Sequence, residues 1–336
     1  MQTIVITGGA GFIGSNFVLH ILAKHPEYRV LNLDKLTYAG NLDNLQAIAD
    51  NPRHTFVRGD IANPELVDHL MKGVDLVVNF AAESHVDRSI MGAQEFMQAN
   101  ALGAYTLLDA ARRHQIKRFL QVSTDEVYGS LAPGEAPWTE VSPLAPRNPY
   151  SVSKTAGDLM ARSFFVTYGM PVLITRASNN IGPCQYPEKR VPLFVTNAID
   201  NLPLPVYGKG TAVRDHLFVS DHCEALDLVL HQGQPGEVYN VGADNDADGE
   251  ELTKQILDLL GKPHSLIEYV KDRPGHDLRY ALDCSKLRAL GWQPRCDLKT
   301  ALAQTVDWYR ANEPWWRKIK ESWEFRAYYE KQYKKR

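Results

Sequence analysis

The most constraining feature of the chain is a glycine-rich run, Thr7 to Gly14, placed between a short apolar segment at residues 3–7 and a helical pattern at residues 12–24. Its four glycines satisfy both the G-x-G-x-x-G and the G-x-x-G-x-x-G spacing. A tight turn of glycines between a strand and a helix lets the backbone approach a pyrophosphate, and the helix N-terminus presents N–H groups and a positive dipole end. The run therefore predicts a dinucleotide-binding α/β fold.

Short apolar segments recur along the first half of the chain and alternate with helical patterns. The segments lie at residues 30–34, 54–58, 75–81, 118–123 and 171–176, and the longest helical patterns lie at residues 92–114 and 150–168. Strands that are buried on both faces and alternate with helices predict a doubly wound parallel sheet, the Rossmann fold. We assign residues 1–180 to this domain, with a later strand returning to it from about residues 214–245.

The pattern of strands and helices in the sequence changes after residue 180. Prolines at positions 183, 187, 192, 203 and 205 divide this part of the chain into short pieces, and the alternation of strands and helices weakens. We therefore predict that residues 181–336 form mainly a smaller C-terminal substrate-binding domain.

Composition and charge exclude several classes of partner. The 37 basic and 40 acidic residues of this 336-residue chain give a formal net charge of -3, so no overall positive field would hold a nucleic acid. No apolar run approaches the roughly 18 residues that a membrane span needs. The four cysteines form no C-x-x-C pair, which gives no sign of a disulfide framework or a thiolate zinc site. We expect a cytoplasmic protein with no nucleic-acid partner, no membrane partner and no metal.

Asp34 indicates which dinucleotide binds. It ends the second predicted strand, twenty residues beyond Gly14, where a carboxylate accepts hydrogen bonds from the adenosine ribose. Because the same carboxylate would repel a 2′-phosphate, the sequence favours NAD over NADP. Asp60 and Ile61 follow the third strand and are candidates to border the adenine, although Asp60 alone is equally typical of a turn or a helix cap.

Tyr150 and Lys154 lie four residues apart on a predicted helix and therefore on the same face. A tyrosine has an unperturbed pKa of about 10, and a nearby ammonium together with the cationic nicotinamide ring favours its phenolate. Thr124 ends the fifth strand, at the sheet edge where such folds bind ligands. We expect Tyr150 to act as the base in an oxidation and Thr124 to hydrogen-bond the sugar oxygen that is oxidised.

Several motifs together resemble the extended short-chain dehydrogenase/reductase family over nearly the whole chain. They are the glycine run, the Tyr-x-x-x-Lys pair and the segments 34–41, 81–89, 124–129 and 272–277. Within that family, the resemblance is to enzymes that dehydrate nucleoside diphosphate hexoses. It implies an NAD-dependent hydro-lyase, with dTDP-glucose as the expected substrate, that oxidises C4, eliminates water across C5 and C6 and returns the hydride to C6. It also implies a homodimer formed through the helices at residues 92–114 and 150–168.

The resemblance assigns roles to individual residues. Tyr150 would accept the C4 hydroxyl proton, Glu126 would remove the C5 proton, and a protonated Asp125 would assist the loss of the C6 hydroxyl. The implied catalytic set is Thr124, Asp125, Glu126, Tyr150 and Lys154. The residues expected to bind NAD are Gly8, Gly11, Phe12, Ile13, Gly14, Asp34, Lys35, Leu36, Thr37, Asp60, Ile61, Ala81, Ala82, Tyr150, Lys154 and Asn180. Those expected to bind the substrate are Ser84, His85, Thr124, Asn179, Glu188, Lys189, Arg214, Asp272, Arg273 and His276.

Three points stay open at this level. Neighbours on a regular strand face opposite ways, so Asp125 and Glu126 both reach the sugar only if the backbone leaves β geometry there. Arg214 is the natural partner of the diphosphate, but a salt bridge to Asp215 is the alternative. Gly249 stands where the family usually has a substrate-binding asparagine, which puts nucleotide contacts there in question.

Alternative functions also remain. A dehydratase, decarboxylase or epimerase that acts on another nucleoside diphosphate sugar is the main alternative, and a noncatalytic NAD-binding sensor is the alternative from a different class. Thymine and uracil preferences are not separated by the sequence. Among the histidines, His20, His25 and His69 are interpreted as helix-surface or packing residues rather than ligands.

Overall fold

A computed structural model describes residues 1–272 and 276–334, and it contains three β-sheets. The strands are β1 (Gln2–Thr7), β2 (Tyr28–Asp34), β3 (His54–Arg58), β4 (Leu76–Asn79), β5 (Arg118–Thr124), β6 (Val172–Ala177), β7 (Asn179–Ile181), β8 (Leu204–Tyr207), β9 (Arg214–Phe218), β10 (Val238–Val241), β11 (Asp246–Ala247) and β12 (Ile267–Val270). The main sheet has seven strands in the order β10-β6-β5-β4-β1-β2-β3, all of them parallel. The predicted Rossmann-type sheet is confirmed.

Helices cover both faces of this sheet and fill the C-terminal part. They are α1 (Phe12–Lys24), α2 (Pro64–Leu70), α3 (Val86–Met91), α4 (Gln94–Phe96), α5 (Ala104–Arg113), α6 (Pro149–Tyr168), α7 (Arg190–Ile199), α8 (Val219–Gln232), α9 (Gly249–Leu260), α10 (Ser285–Ala289), α11 (Leu298–Ala311), α12 (Glu313–Glu321) and α13 (Trp323–Tyr329). Short 3₁₀ turns span Leu42–Ile48, Asp125–Tyr128 and His264–Leu266, and π-helical turns span Met97–Gly103 and Glu330–Lys334.

Alternation along β1 explains the layered core. Ile4 and Ile6 point into a cluster that includes Phe17 of α1, whereas Val5 between them joins the opposite cluster with Phe119 of β5. Successive side chains of a strand face opposite ways, so a strand covered by helices on both faces must be apolar throughout. This is why the continuous apolar segments of the sequence were informative about the sheet.

The sequence pattern predicts one continuous helix at residues 92–114. The structure divides this segment into α4, the π-helical turn Met97–Gly103 and α5. Asn100 lies in that turn and exchanges hydrogen bonds with both backbone groups of Glu83, over 2.9 Å each, while its amide also donates to Ser153 Oγ over 2.8 Å. Single π-helical turns within helices occur frequently at functional sites. This one carries the residue that ties the helix to the loop after β4.

Beyond residue 180 the chain forms two small sheets, β11-β9-β7 and β12-β8, around a core of its own with Phe194, Leu252 and Trp316. It also returns to the main sheet, where β10 pairs with β6 and α8 packs against α1. The division of the chain into domains at residue 180 stays a prediction. Among the helices that the structure describes, none has the length and apolar composition needed to cross a bilayer.

Candidate active site

The glycine run forms a turn in which neighbouring backbone atoms lie too close to Gly8 and Gly14 for a side chain to fit. Gly8 has a φ of +69°, and a Cβ built on it would lie 2.7 Å from the backbone nitrogen of Ala81, while a Cβ on Gly14 would lie 2.2 Å from the Gly8 carbonyl oxygen. Gly11 is the N-cap of α1 and provides no side-chain cap. The turn therefore presents bare backbone at the start of a helix, which fits a pyrophosphate group.

Asp34 is fixed at the end of β2 by two backbone donors. Its Oδ2 accepts from the Ala10 N–H over 2.9 Å and its Oδ1 from the Leu36 N–H over 2.7 Å. Burial raises the pKa of Asp34 from its ordinary value, and these two N–H groups oppose the rise. The carboxylate thus links β2 to the glycine turn and keeps unused lone pairs for ribose hydroxyls.

The first of two adjoining clefts, which we call the glycine-turn cleft, collects most residues expected to bind NAD. It is lined by Gly8, Gly11, Phe12, Ile13, Gly14, Asp34, Lys35, Thr37, Asp60, Ile61, Ala81, Ala82, Tyr150 and Lys154, and Ser84 lies there too. At its edge the Lys35 ammonium contacts Asp60 over 2.7 Å. The cradle of bare glycine backbone and the buried carboxylate fit a dinucleotide with unmodified ribose hydroxyls.

Two residues expected at the cofactor are not among those that line the glycine-turn cleft. Leu36 packs its side chain against the hydrophobic core, and its backbone N–H donates to Asp34. Asn180 lines the second cleft, and its Oδ1 contacts His222 Nδ1 at 2.9 Å. Their contact with the cofactor stays a prediction.

The backbone leaves β geometry at Asp125 and Glu126, which is the condition set by the sequence for both to reach the sugar. Strand β5 ends at Thr124, and Asp125–Tyr128 form a 3₁₀ turn whose first N–H groups include that of Glu126, which donates to Thr124 Oγ1 over 3.3 Å. The two carboxyl groups therefore do not follow strand alternation. Glu126 lines the second cleft, while Asp125 is buried behind it with 2% of its surface exposed.

These neighbouring carboxyl groups have different environments. Burial, followed by the charge of Glu126, raises the pKa of Asp125 well above its ordinary value. Asp125 Oδ1 accepts from Thr124 Oγ1 over 3.2 Å, and within the described residues its Oδ2 has no hydrogen-bond partner. Asp125 is therefore suited to hold a proton at neutral pH beside a partly exposed carboxylate.

Tyr150 and Lys154 share the inner face of α6 as predicted, but their coupling differs from the expectation. Burial and then the Glu126 carboxylate raise the pKa of Tyr150, while the Thr124 side chain opposes the rise. The Lys154 ammonium donates to the Val122 carbonyl over 2.7 Å, and burial lowers the pKa of Lys154 to about 8. The protein surroundings alone thus favour the neutral phenol, because burial and the nearby carboxylates outweigh the ammonium.

The second cleft, which we call the Arg214 cleft, adjoins the first through Glu188 and Lys189, which line both. It holds the expected substrate-binding residues His85, Asn179, Arg214 and His276 together with Glu126, which is expected to be catalytic. Asp272 contacts His276 at its edge, Oδ1 to Nδ1 at 2.7 Å. Arg273 lies outside the described residues.

Arg214 is held by neutral groups and not by Asp215. Its guanidinium donates to the carbonyls of Val213 and Asp277 over 2.7 Å each and lies over the Tyr280 ring at 4.0 Å. Asp215 instead accepts from the N–H groups of Ala243 and Asn245. Within residues 1–272 and 276–334 no carboxylate forms an ion pair with Arg214, so its charge faces an anionic ligand.

Two contributors to the site were missed by the sequence reading. Asn148 caps α6 through a capping box and donates its amide to Glu126 Oε2 over 3.3 Å. Arg88 forms an ion pair with Glu188 at 2.9 Å and lies between the rings of Tyr38, at 3.8 Å, and Tyr328, at 4.4 Å. The Asn-Pro pair before Tyr150 is a helix-start signal that could have identified Asn148, whereas nothing local marks Arg88.

A histidine cluster lies away from both clefts. His20 of α1, His25 at the end of that helix and His231 of α8 contact the buried Asp227 carboxylate at 3.0, 2.9 and 2.9 Å, and the Lys24 ammonium contacts it at 2.7 Å. Ligand atoms of His25, Asp227 and His231 lie within 4.8 Å of one another, close enough for a metal ion. Because Lys24 already supplies a cation to this carboxylate, we interpret the cluster as an ion-pair network that joins the two helices.

The chain matches the family model described as GDP-mannose 4,6 dehydratase over residues 5–305. It is 51% identical over 319 residues to a dTDP-glucose 4,6-dehydratase of Actinoplanes sp., an alignment that covers 93% of this chain and 99% of that protein. The crystal structure of DesIV, a dTDP-glucose 4,6-dehydratase from Streptomyces venezuelae with NAD bound, superposes with a TM-score of 0.93 at 48% identity, covering 95% of this chain and 100% of that one. A UDP-glucuronic acid 4-epimerase from Bacillus cereus in complex with UDP-glucuronic acid and NAD superposes with a TM-score of 0.87 at 26% identity, covering 92% and 99%.

Proposed function

Because this chain belongs to the GDP-mannose 4,6 dehydratase family, we propose that it is an NAD-dependent hydro-lyase that converts dTDP-glucose to dTDP-4-keto-6-deoxyglucose. The observation that carries this proposal is the pair Asp125 and Glu126, in which a buried carboxyl with a raised pKa lies beside a carboxylate that lines the Arg214 cleft. Elimination of water needs one group that gives a proton and one that takes it. The pair provides both within one turn of the backbone.

The first chemical requirement is a ketone at C4, since the C5 proton is not acidic without one. Tyr150, which lines the glycine-turn cleft with Lys154, is the group that accepts the C4 hydroxyl proton. Bound NAD supplies a reversible hydride acceptor for this sugar, and its positive ring opposes the burial that raises the pKa of Tyr150. Lys154 adds a second positive charge on the same face of α6.

The second requirement is elimination across C5 and C6. Glu126 removes the C5 proton, and Asn148 orients the accepting carboxylate through its hydrogen bond to Oε2. Asp125 holds the proton that the departing C6 hydroxyl takes up, so that water leaves. A 4-epimerase or a decarboxylase has no need of this acid at C6, and a noncatalytic NAD sensor has no need of any of these groups.

The decisive experiment follows the sugar and its label. Incubation with dTDP-glucose, UDP-glucose and GDP-mannose should give a product lighter by one water, with dTDP-glucose the preferred substrate by kcat/KM. Deuterium placed at C4 should appear at C6 of that product. An unchanged mass with inverted C4 would instead assign the protein to an epimerase, and loss of the label to solvent would exclude return of the hydride to C6.

We infer in addition a homodimer built on α5 and α6. Val152, Leu159 and Val166 recur every seven residues on α6 and are exposed. Leu102, in the π-helical turn before α5, and Tyr105 of α5 are exposed as well. A heptad of exposed apolar side chains on a 20-residue helix suits contact with a second copy. Light scattering should give twice the chain mass, and Leu159→Glu should shift it towards the monomer.

The expected compartment is the cytoplasm. The four cysteines are free, and two of them are buried, as suits a reducing environment. Fractionation of cells that carry the tagged full chain tests this placement.

A further inference from the structure

Arg190 is a second arginine in the Arg214 cleft. It opens helix α7 and lines the cleft together with Arg214, His216 and Gly249. Its Nη2 lies 3.1 Å from Nε2 of His216. The guanidinium is thus aimed by a side chain from a different element, strand β9.

His216 holds Arg190 without cancelling its charge. The imidazole is 1% exposed, and its Nδ1 lies 3.4 Å from the Asn245 carbonyl oxygen, to which it donates. Burial, and then the charges of Arg190 and Arg214, lower the pKa of His216 to about 3. A neutral ring with its proton on Nδ1 leaves Nε2 as an acceptor for the guanidinium.

The space that Arg190 occupies is the space that a side chain at position 249 would need. A Cβ built on Gly249 would lie 3.2 Å from Arg190 Nη1 and 3.0 Å from the Gly210 carbonyl oxygen. The Gly249 N–H also donates to that carbonyl, over 2.6 Å. Gly249 therefore leaves this side of the cleft open to the guanidinium.

Two guanidinium groups in one cleft favour an anionic ligand. Arg214 donates to backbone carbonyls and Arg190 contacts the His216 ring, and all three side chains line the same cleft. Planar guanidinium donors pair with two oxygens of a phosphoryl group at once. A diphosphate offers one phosphoryl group to each arginine.

We propose that Arg190 is a second phosphate-binding residue, which grips the diphosphate of the nucleotide sugar together with Arg214 in the room that Gly249 leaves open. The identification of the anion as the diphosphate of a nucleotide sugar rests on the proposed function. Its place in the Arg214 cleft rests on the two arginines that line that cleft. His216 acts through Arg190, whose guanidinium it orients, and is therefore a positioning residue.

The first test compares two ligands that differ only in the diphosphate. Calorimetric titration of Arg190→Leu with dTDP should give a Kd raised about 10- to 100-fold, since a hydrogen bond to a charged group contributes about 1.5 to 3 kcal/mol. The Kd for thymidine and the Kd for NAD should stay within twofold of wild type. Arg326→Leu, which removes the same charge from an exposed position on α13, should leave all three constants unchanged.

The second test exploits position 249. Gly249→Asn alone should weaken dTDP binding because the new side chain crowds the Arg190 guanidinium, and the same substitution in an Arg190→Leu background should cost clearly less. Such non-additivity is the signature of direct contact. Should Arg190→Leu fail to fold, Arg190→Gln keeps a donor for His216, loses the charge and is expected to show the same selective loss of dTDP.

Unchanged dTDP binding in folded Arg190→Leu and Arg190→Gln would overturn the proposal, and so would an equal loss for thymidine and dTDP, because that would mean a structural role. A wild-type protein that binds dTDP no better than thymidine would overturn it as well. Turnover of dTDP-glucose tests the proposed function separately. A protein that binds dTDP through Arg190 but leaves dTDP-glucose unconverted would contradict the proposed function alone.

Discussion

The side chain of Asn148 joins Glu126 to the start of helix α6. Its amide nitrogen donates to Glu126 Oε2 over 3.3 Å, and its oxygen accepts from the N–H of Ser151 over 2.9 Å. Asn148, which caps the helix that carries Tyr150, therefore also orients the carboxylate of Glu126, the base of the elimination step. A donor to the ionised form favours a proton acceptor at Glu126.

Glu126→Gln should abolish elimination while sparing binding. The substitution keeps the shape of the side chain and removes the base, so we expect kcat to fall about 10²- to 10⁴-fold, the range for a positioned acid or base. Exchange of the C5 proton with D₂O, followed by NMR, should fall equally. Asp125→Asn is the matched variant, which loses only the acid and should slow water loss more than C5 exchange. Turnover of Glu126→Gln within tenfold of wild type would remove Glu126 from its role.

Tyr150→Phe should stop the reaction at its first step. The phenol is the group placed at the C4 hydroxyl, and phenylalanine keeps the ring that packs at 6.3 Å against Phe96. We expect a loss of at least about 10²-fold in turnover, with the Kd for dTDP within twofold. A folded variant that retained a tenth of wild-type activity would exclude Tyr150 as the base.

Asp34 should set the preference for NAD over NADP. Asp34→Asn removes the charge that repels a 2′-phosphate, so the ratio of the two Kd values should narrow. Because burial raises the pKa of Asp34, the wild-type preference should also weaken as the pH falls towards that raised pKa, where the carboxylate becomes neutral. Equal affinity of the wild type for both dinucleotides at pH 8 would contradict this role.

Stability should depend on pH through the cluster around Asp227. Its hydrogen bond to Asp227 raises the pKa of His231, so the contribution of this pair is complete below the unfolded value of about 6.5 and is lost as the pH rises through the raised pKa. Burial opposes ionisation of Asp227, but hydrogen bonds from His20, His231 and Lys24 outweigh it and lower that pKa. The Asp227 contribution is therefore present above about pH 4 and lost on acidification.

Denaturant unfolding checks this sign. Asp227→Asn should lower the free energy of unfolding by about 2 kcal/mol at pH 6 and by less at pH 9, after the pH has risen through the raised pKa of His231 and that imidazole has become neutral. His69→Gln, on the exposed side of α2, is the control. An equal loss at both pH values would show that the histidine charges contribute nothing.

The sequence predicted those parts of the site whose residues are close along the chain. The glycine turn, Asp34 and the Tyr150–Lys154 pair each depend on spacing within one strand–turn–helix unit, and the structure brings them together. Arg190 and His216 pair across 26 positions between a helix and a strand, and Asn148 reaches Glu126 across 22. Such pairs follow from how the elements pack, which spacing does not encode.

The direction of a side chain is likewise absent from the spacing. Leu36 packs against the core and Asn180 lines the Arg214 cleft, which their positions along the chain did not indicate. The network of His20 and His25 was not predicted because their partner, Asp227, lies more than two hundred positions away.

Helix α6 carries two sets of residues on opposite sides. Tyr150 and Lys154 face the glycine-turn cleft, while Val152, Leu159 and Val166 form the exposed heptad. Each residue of an α-helix turns the chain by about 100°, so one residue inserted between Lys154 and Leu159 would rotate Leu159 and Val166 away from Val152 while leaving the catalytic pair in place. The number of residues between Lys154 and Leu159 is therefore constrained, even where the side chains between them can be exchanged.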